Sequence, residues 1–156
     1  MNRIALDCSA ALALFLDDEQ PPLAVALLEA LPDAEVWIPA LWRYEFVNAL
    51  LTAQRRRRLT PARAGQILDQ AARLPLHLDT ELPALASLFA LADVHGLTAY
   101  DAGYLELAQR RQLALATLDM QLLKAARDAD VPVFGSLPQR RAAREPKPAY
   151  RRKERR

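Results

Sequence analysis

The sequence has few of the residues that build disulfide-bonded, zinc-stabilised or hairpin-rich proteins. It contains one cysteine, Cys8, and two histidines among 156 residues. It can therefore form no internal disulfide and no structural zinc site of the usual four-ligand kind. Glycine is also scarce, with four residues, which argues against many tight turns and favours helices. A single cysteine is typical of a reducing compartment, so we expect a cytoplasmic protein with Cys8 as an inert core thiol.

Long hydrophobic runs are missing as well. No stretch reaches the roughly 20 apolar residues of a membrane span, and residues 1–7 lack the apolar run that is typical of a signal peptide. These absences predict a protein without a membrane partner. What is present is 52% hydrophobic and 26% charged residues, which is the ordinary balance of one globular domain.

The charges are divided unevenly along the chain. Residues 139–156 carry nine Arg or Lys and two Glu, a net charge of +7, which leaves −5 on the rest because the whole chain has +2. The last segment is also rich in proline and loses the hydrophobic periodicity of the rest. We therefore expect one domain over residues 1–137 and a basic, flexible tail over residues 138–156.

Short apolar segments alternate with helical patterns along the predicted domain. Strands are expected at residues 3–6, 36–38, 74–78, 113–116 and 131–134. Helices are expected at residues 10–16 with Ser9 as the cap, and at 21–31, 40–57, 61–73 after Thr60, 82–95 before Gly96, 98–111 and 120–129. This alternation is typical of an α/β protein with a central parallel sheet of four to five strands and helices on both faces.

Four carboxylates stand next to predicted strands or near the beginning of predicted helices. Asp7 ends the first strand, and Asp119 follows the fourth by three residues. In a parallel sheet both positions lie at the carboxyl edge, where open α/β folds place their sites. Asp101 lies in the first turn of the helix after Gly96, and Glu45 lies in the first turns of the helix after the second strand. We expect these four acids to converge.

Four converging acids would need a counter-charge, because they repel one another and cannot all ionise without one. Mg²⁺ is the natural candidate, with Mn²⁺ as a second possibility, since both prefer oxygen ligands. Such an ion binds phosphate and lowers the pKa of water. Neither His77 nor His95 lies in a site motif, so we expect metal-activated water in place of a histidine base.

Three of the acids also have a purely structural interpretation. Asp7 can end a strand and cap a helix, and Asp119 can be the N-cap of the helix that follows it. Thr98 and Asp101 have the spacing of a capping box. Caps of this kind are common, so none of these three positions indicates a site when taken singly.

Glu45 is harder to interpret as a structural residue. Its helix has an apolar stripe of Trp42, Phe46 and Ala49, and Glu45 shares a face with Asn48 by i,i+3 spacing. Burying this carboxylate and amide costs several kcal/mol unless they have partners, which a metal cluster would supply. The alternative is a narrow stripe of solvated polar residues.

Each of the four acids lies in a short segment of its own. The segments are IALDCSA at 4–10, EFVNAL at 45–50, LTAYDAGYLELA at 97–108 and LATLD at 115–119. In order and spacing they resemble the acidic motifs of PIN domains, and of VapC-type toxins in particular, and the similarity covers about residues 1–135.

The resemblance implies a PIN-like three-layer fold and Mg²⁺-dependent cleavage of RNA by the toxin of a type II toxin–antitoxin system. The family's acidic metal positions match Asp7, Glu45, Asp101 and Asp119. Positions that orient those acids or the substrate match Ser9, Asn48 and Thr117. The resemblance further implies a homodimer and a VapB-like antitoxin, for which the apolar helices at 21–31 and 40–54 are candidate docking sites.

The resulting hypothesis is hydrolysis of single-stranded or loop RNA by metal-activated water. Asp7, Asp101 and Asp119 would mainly hold the metal, and Glu45 would hold it or orient the water. The RNA would be attracted by the basic tail and by a run of four arginines, for which the alternative is a solvated helix end. These are Arg55, Arg56, Arg57 and Arg58.

Other functions fit the sequence less well. A phosphatase of the haloacid-dehalogenase class needs a second Asp two residues after Asp7, where this chain has Ser9. A receiver domain needs a paired acid beside Asp7, and neither Cys8 nor Pro39 fits that pattern. A catalytically silent PIN-like module that only binds RNA, or a PIN nuclease outside toxin–antitoxin systems, stays open as an alternative.

Overall fold

The structure is a computed structural model, and it describes residues 1–16 and 21–135. Helices and strands alternate through these ranges, as the apolar segments predicted. The elements are β1 (Arg3–Leu6), α1 (Cys8–Leu12), α2 (Pro22–Ala30), a 3₁₀ turn (Leu31–Asp33), β2 (Glu35–Pro39), α3 (Leu41–Arg55), α4 (Pro61–Ala71), β3 (Leu76–Asp79), α5 (Leu85–His95), α6 (Ala99–Arg111), β4 (Ala114–Ala116) and α7 (Met120–Asp128).

The four strands form one parallel sheet in the order β3-β2-β1-β4. In β1, Ala5 is in register with Trp37 of β2 and Leu115 of β4. Ile4, Ala5 and Leu6 are all fully buried. Because successive side chains of a strand point to opposite faces, both faces of the sheet are covered here. The predicted α/β fold with a central parallel sheet is confirmed.

The fifth predicted strand, residues 131–134, is reduced to one parallel bridge between Leu115 and Val133. The backbone N–H of Leu115 donates to the carbonyl of Pro132 at 2.7 Å, and that of Phe134 donates to the carbonyl of Leu115 at 2.9 Å. Pro132 has no N–H to offer, which limits how far this pairing can extend.

Several helices begin or end where the local sequence predicts. The Thr60 hydroxyl accepts from the N–H of Arg63 at the start of α4. Gly96 ends α5 in the left-handed region, with φ of 63°, which favours glycine. α5 begins at Leu85 rather than at Leu82, since Pro83 disfavours helical geometry in the residue before it.

The first predicted helix is wrong in its position and in its cap. α1 spans Cys8–Leu12 instead of residues 10–16, and Ser9 lies inside it while Asp7 stands at the N-cap position. The Ser9 hydroxyl is hydrogen-bonded to the Asp7 carboxylate, so it is engaged in a contact other than a cap. The chain therefore turns from strand to helix directly at Asp7.

The sheet brings distant segments to one edge. β1 and β4 are adjacent and parallel, and the N–H of Asp7 donates to the carbonyl of Ala116 at 3.0 Å. α6 packs against β1, β2 and β4. The residues that follow β1 and β4 therefore lie side by side at the carboxyl edge.

Two further expectations concern membranes and the tail. Among the described residues, no helix combines the length and the apolar character that crossing a membrane requires. The predicted basic tail, residues 138–156, lies outside the described ranges, and so does its boundary with the domain.

Candidate active site

Asp7 is the centre of a hydrogen-bond cluster at the carboxyl edge of the sheet. It is only 5% exposed. Its Oδ2 accepts from the hydroxyl of Ser9 at 2.5 Å and from that of Thr117 at 2.7 Å. The Ser9 hydroxyl in turn accepts the N–H of Leu118 at 2.9 Å. The residues that follow β1 and β4 thus hold this carboxylate in a fixed orientation.

In the part of the chain that the structure describes, the Asp7 carboxylate has no charged partner. Within the described ranges, no Lys, Arg or His side chain forms an ion pair with it. Burial raises the pKa of this carboxyl above its usual 3.8, while the hydroxyls of Ser9 and Thr117 act in the opposite direction. A buried carboxylate that has only neutral partners favours a cation beside it.

Glu45 is the second acid of this edge, in the second turn of α3. It is half-buried, and the hydroxyl of Tyr104 on α6 donates to its Oε2. Burial raises the pKa of Glu45. The hydrogen bond from Tyr104 acts in the opposite direction, and the nearby charges of Asp7 and Asp101 raise the pKa again. The structure therefore brings Glu45 within electrostatic range of Asp7 and Asp101.

Asp101 lies in the first turn of α6 and takes part in the helix cap. Its N–H donates to the Thr98 hydroxyl at 3.1 Å, and that hydroxyl donates to its carboxylate at 2.7 Å. The capping interpretation of this pair is therefore correct. The cap also restrains the carboxylate where its charge raises the pKa of Glu45.

Asp119 is exposed and caps α7, with its Oδ1 accepting the N–H of Leu122 at 2.8 Å. Its own N–H donates to the Thr117 hydroxyl at 3.0 Å, and the same hydroxyl contacts Asp7. Asp119 is thus joined to the cluster through Thr117, and its predicted role as a metal ligand stays a prediction.

Asn48 is not buried together with Glu45. It is exposed, and in the part of the chain that the structure describes its amide has no hydrogen-bond partner. The buried face of α3 is formed by Trp42, Phe46 and Leu50. Asn48 lines a surface cavity beside Val47. The expectation of a buried carboxylate–amide pair on α3 is therefore wrong, while a contact of Asn48 with substrate stays a prediction.

The donor set fits a hard divalent cation in its chemistry. The atoms on offer are carboxylate oxygens supported by hydroxyl groups, which are the ligands that Mg²⁺ and Mn²⁺ prefer. As the side chains stand, the described residues include no group of three acids, histidines or cysteines that is close enough to hold a metal ion. The fit therefore rests on the kind of donors and on their unbalanced charge.

Two features of this region were not singled out in the sequence. One is Tyr104, which is fully buried and donates to Glu45. Its signal in the sequence was the i,i+3 spacing from Asp101, which places both on the same side of α6.

Cys8 behaves as expected. It is buried, and burial, together with the charges of Asp7 and Glu45, raises the pKa of its thiol to about 12.

The second feature that the sequence did not single out is another acid cluster, centred on Asp79, the last residue of β3. Asp79 is 3% exposed. Arg110 contacts its Oδ2 at 2.5 Å, and Arg111 contacts its Oδ1 at 2.7 Å. Arg110 also pairs with Glu106 at 2.8 Å and with Glu81 at 2.9 Å. Every acid of this second cluster faces at least one arginine.

The predicted arginine run, Arg55 to Arg58, lies at the end of α3 and beyond it. Arg55, Arg56, Arg57 and Arg58 all have exposed side chains. Arg57 ends the helical turn with a positive φ of 56°. The arrangement fits both a solvated helix end and a phosphate-binding surface, so a role in RNA binding stays a prediction.

Comparison with known proteins agrees with the fold. The PIN-domain model matches residues 4–128. Ribonuclease VapC3 of Pyrobaculum aerophilum is 34% identical over 127 residues, which cover 77% of this chain and 92% of that protein.

Two solved structures are similar as well. The crystal structure of PAE2754 from Pyrobaculum aerophilum has a TM-score of 0.60 at 28% identity and covers 80% of this chain and 79% of that one. FitAcB from Neisseria gonorrhoeae has a TM-score of 0.56 at 22% identity over 84% of this chain and 96% of that one, a likeness of fold alone. The resemblance seen in the four acidic segments is thereby confirmed, and the chain is a member of the PIN-domain family.

Proposed function

We propose that this chain is a metal-dependent endoribonuclease that hydrolyses RNA phosphodiester bonds and acts as the toxin of a type II toxin–antitoxin system. One observation carries the proposal. Glu45 lies within electrostatic range of both Asp7 and Asp101, and within the described ranges none of these three acids forms an ion pair. The relative named Ribonuclease VapC3 supports RNA as the substrate.

Asp7, Asp101 and Asp119 would mainly hold the ion, which is Mg²⁺ or Mn²⁺. Glu45 would hold it too or orient the attacking water. When bound, the ion supplies positive charge for the scissile phosphate and lowers the pKa of water. The chain's own part is positioning. The hydroxyls of Ser9 and Thr117 fix one oxygen of Asp7, and the cap at Thr98 restrains Asp101.

RNA must reach an acidic centre, so positive charge is needed near its path. The exposed arginines 55–58 can neutralise phosphates and steer the strand toward the acids. Among the described residues these arginines form no ion pair with the acids, so they would affect affinity rather than chemistry. The basic segment beyond residue 138 would add to this attraction. We expect the reaction to take place in the cytoplasm.

A homodimer would bury an apolar surface that the fold leaves open. In the described part of the chain, α5 has no buried residue and packs mainly against α6. Leu82, Leu85 and Phe89 repeat at intervals of three and four and are 74–86% exposed, which is unusual for a monomer surface. Light scattering on the purified chain should give twice the monomer mass, and Phe89→Asp should lower it toward the monomer. A monomeric wild type would contradict this expectation.

An antitoxin has a candidate docking site on α3. A cavity of about 610 Å³ lies there, lined by Ala40, Arg43, Tyr44, Val47, Asn48, Leu51 and Leu78. Tyr44, Val47 and Leu51 are 42–80% exposed, so an apolar peptide segment would find a ready surface beside the Glu45 helix. Co-expression with the neighbouring reading frame, followed by co-purification, tests this partner. Charge substitution at Val47 should weaken the complex.

The decisive experiment is cleavage of single-stranded RNA by purified protein with and without Mg²⁺. Asp7→Asn and Asp101→Asn should each lower the rate at least about 100-fold, because a metal supplies several kcal/mol in the transition state and about 1.4 kcal/mol corresponds to a factor of ten. Asp69→Asn, on the exposed side of α4, is the matched control and should cleave as the wild type does.

The outcomes separate the proposal from its alternatives. Undiminished cleavage by either site variant, with the fold intact by circular dichroism, would count against the assignment of the acids. Binding of RNA without cleavage by the wild type would favour the silent RNA-binding module instead. Growth arrest on expression of the wild type, relieved by Asp7→Asn, supports the toxin role over a nuclease outside toxin–antitoxin systems.

A further inference from the structure

Tyr104 stands out among the buried polar groups of the molecule, because its hydroxyl crosses between two helices to reach an acid of the site. The side chain is fully buried, and it lies one turn after Asp101 on α6. Its hydroxyl donates to Oε2 of Glu45 on α3, 59 residues away in the chain. Within the described ranges, the Glu45 side chain forms no other hydrogen bond.

Glu45 needs such a restraint. It is half-buried at the edge of the cluster, and its charge is repelled by those of Asp7 and Asp101. A flexible glutamate in that position lowers its energy by rotating toward water, away from the other two acids. The hydroxyl of Tyr104 opposes that rotation, because a buried tyrosine hydroxyl requires an acceptor and Glu45 provides it.

The kind of donor matters as well as its position. A guanidinium in place of the phenol would hold Glu45 equally well, as Arg110 holds Asp79 at 2.5 Å. It would also cancel one negative charge of the cluster. A neutral hydroxyl orients the carboxylate and leaves the negative charge available to a cation.

We propose that Tyr104 is a positioning residue that presents the Glu45 carboxylate to the divalent cation and its water. The inference rests on the proposed function, and it adds a residue on α6 that restrains an acid on α3. It predicts that the hydroxyl of Tyr104, and not its ring, contributes to metal affinity and to turnover.

The test is Tyr104→Phe, which removes the hydroxyl and keeps the ring. The matched control is Tyr100→Phe on the same helix, since Tyr100 is 64% exposed. Mn²⁺ binding to each purified protein is measured by calorimetry, and kcat and KM for RNA are measured at saturating metal. Tyr104→Phe should bind Mn²⁺ about 10- to 100-fold more weakly and lose kcat with little change in KM, as loss of a supporting hydrogen bond does. Tyr100→Phe should match the wild type.

A double-mutant cycle with Glu45→Ala, which removes the acceptor of the Tyr104 hydroxyl, separates positioning from packing. If Tyr104 acts through Glu45, then adding Tyr104→Phe to Glu45→Ala should weaken Mn²⁺ binding no further. Additive losses would overturn the inference. So would a Tyr104→Phe protein that unfolds at a lower temperature and yet binds Mn²⁺ as tightly as the wild type.

A wild type that neither binds Mn²⁺ nor cleaves RNA overturns the proposed function and this inference with it. A wild type that does both, together with a Tyr104→Phe protein that binds and cleaves equally well, overturns the inference alone. If Tyr104→Phe fails to fold, the ultraviolet difference spectrum on adding Mn²⁺ decides. A tyrosine signal present in Tyr100→Phe and absent from Glu45→Gln supports the inference, and one unchanged in Glu45→Gln overturns it.

Discussion

Two buried aspartates lie at the carboxyl ends of parallel strands, and their surroundings differ in charge. Asp7 follows β1 and is 5% exposed, while Asp79 ends β3 and is 3% exposed. The carboxylate of Asp7 accepts from the neutral hydroxyls of Ser9 and Thr117. The carboxylate of Asp79 is enclosed by the guanidinium groups of Arg110 and Arg111.

The two environments shift the pKa values of the two acids in opposite directions. Burial raises the pKa of Asp7. Burial acts in the same sense on Asp79, but its hydrogen bonds and charge interactions with the two arginines outweigh it and lower the pKa. A buried acid whose counter-charge is part of the protein is complete, and its role is to fasten β3 to α6. A buried acid without one has the property that a cation site requires.

The two aspartates should differ most in their contribution to the free energy of unfolding. Asp79→Asn removes one partner of a buried ion pair and leaves two arginines facing a neutral amide. Because these arginines are 23% and 28% exposed, water recovers part of the loss, and we expect the free energy of unfolding to fall by about 2–4 kcal/mol. Urea denaturation at neutral pH measures it.

The activity of the same variant is the matched observation. The folded fraction of Asp79→Asn should cleave RNA at the wild-type rate, since the side chain of Asp79 is held by Arg110 and Arg111 and not by the acids of the candidate site. A variant that is fully stable, or one that is stable and inactive, would remove the distinction between the two clusters.

The next effect concerns pH and metal. A carboxyl whose pKa is raised on folding stabilises the fold below its unfolded pKa, near 4, and that stabilisation is lost as pH rises through the folded value. This applies to Asp7 and Glu45. For Asp79 the pKa is lowered, so its contribution is present above about pH 4 and is lost on acidification.

Glu45→Gln makes this measurable. Without divalent cations, the variant and the wild type should have the same free energy of unfolding near pH 4. Near pH 7 the variant should be more stable, by less than about 1 kcal/mol because Glu45 is partly exposed to water. Added Mg²⁺ should reverse the order by stabilising the wild type. Equal stability at both pH values, with and without Mg²⁺, would show that the acids need no counter-charge.

The smallest effect concerns the arginines beyond the cluster. Replacing Arg56 and Arg57 by Ala should weaken RNA binding modestly and make it less sensitive to salt. The slope of log K against log salt should become shallower by about 0.7 for each phosphate of a single strand that is no longer neutralised. Filter binding across a range of salt concentrations measures the slope. An unchanged slope would assign the run to the solvated end of α3.

Several features of the fold could be predicted from sequence because they depend on neighbours along the chain. The apolar run before Asp7 predicts a buried strand, Thr60 before proline predicts a helix start, and Gly96 predicts a helix end. The caps at Thr98 and Asp119 are equally local. Together with the order of the acidic segments, these signals indicated the α/β class, the parallel sheet and the sheet edge at which Asp7 and Asp119 lie.

Which side chains face each other across elements depends on how the whole chain packs. Asn48 had the right spacing to share a face with Glu45, yet the packing of Phe46 and Leu50 against the core left it exposed. The donation from Tyr104 to Glu45 joins residues that no periodicity relates. Side-chain direction depends on how each helix is rotated and placed against its neighbours, and that is set by packing of the whole core rather than by any local run of residues.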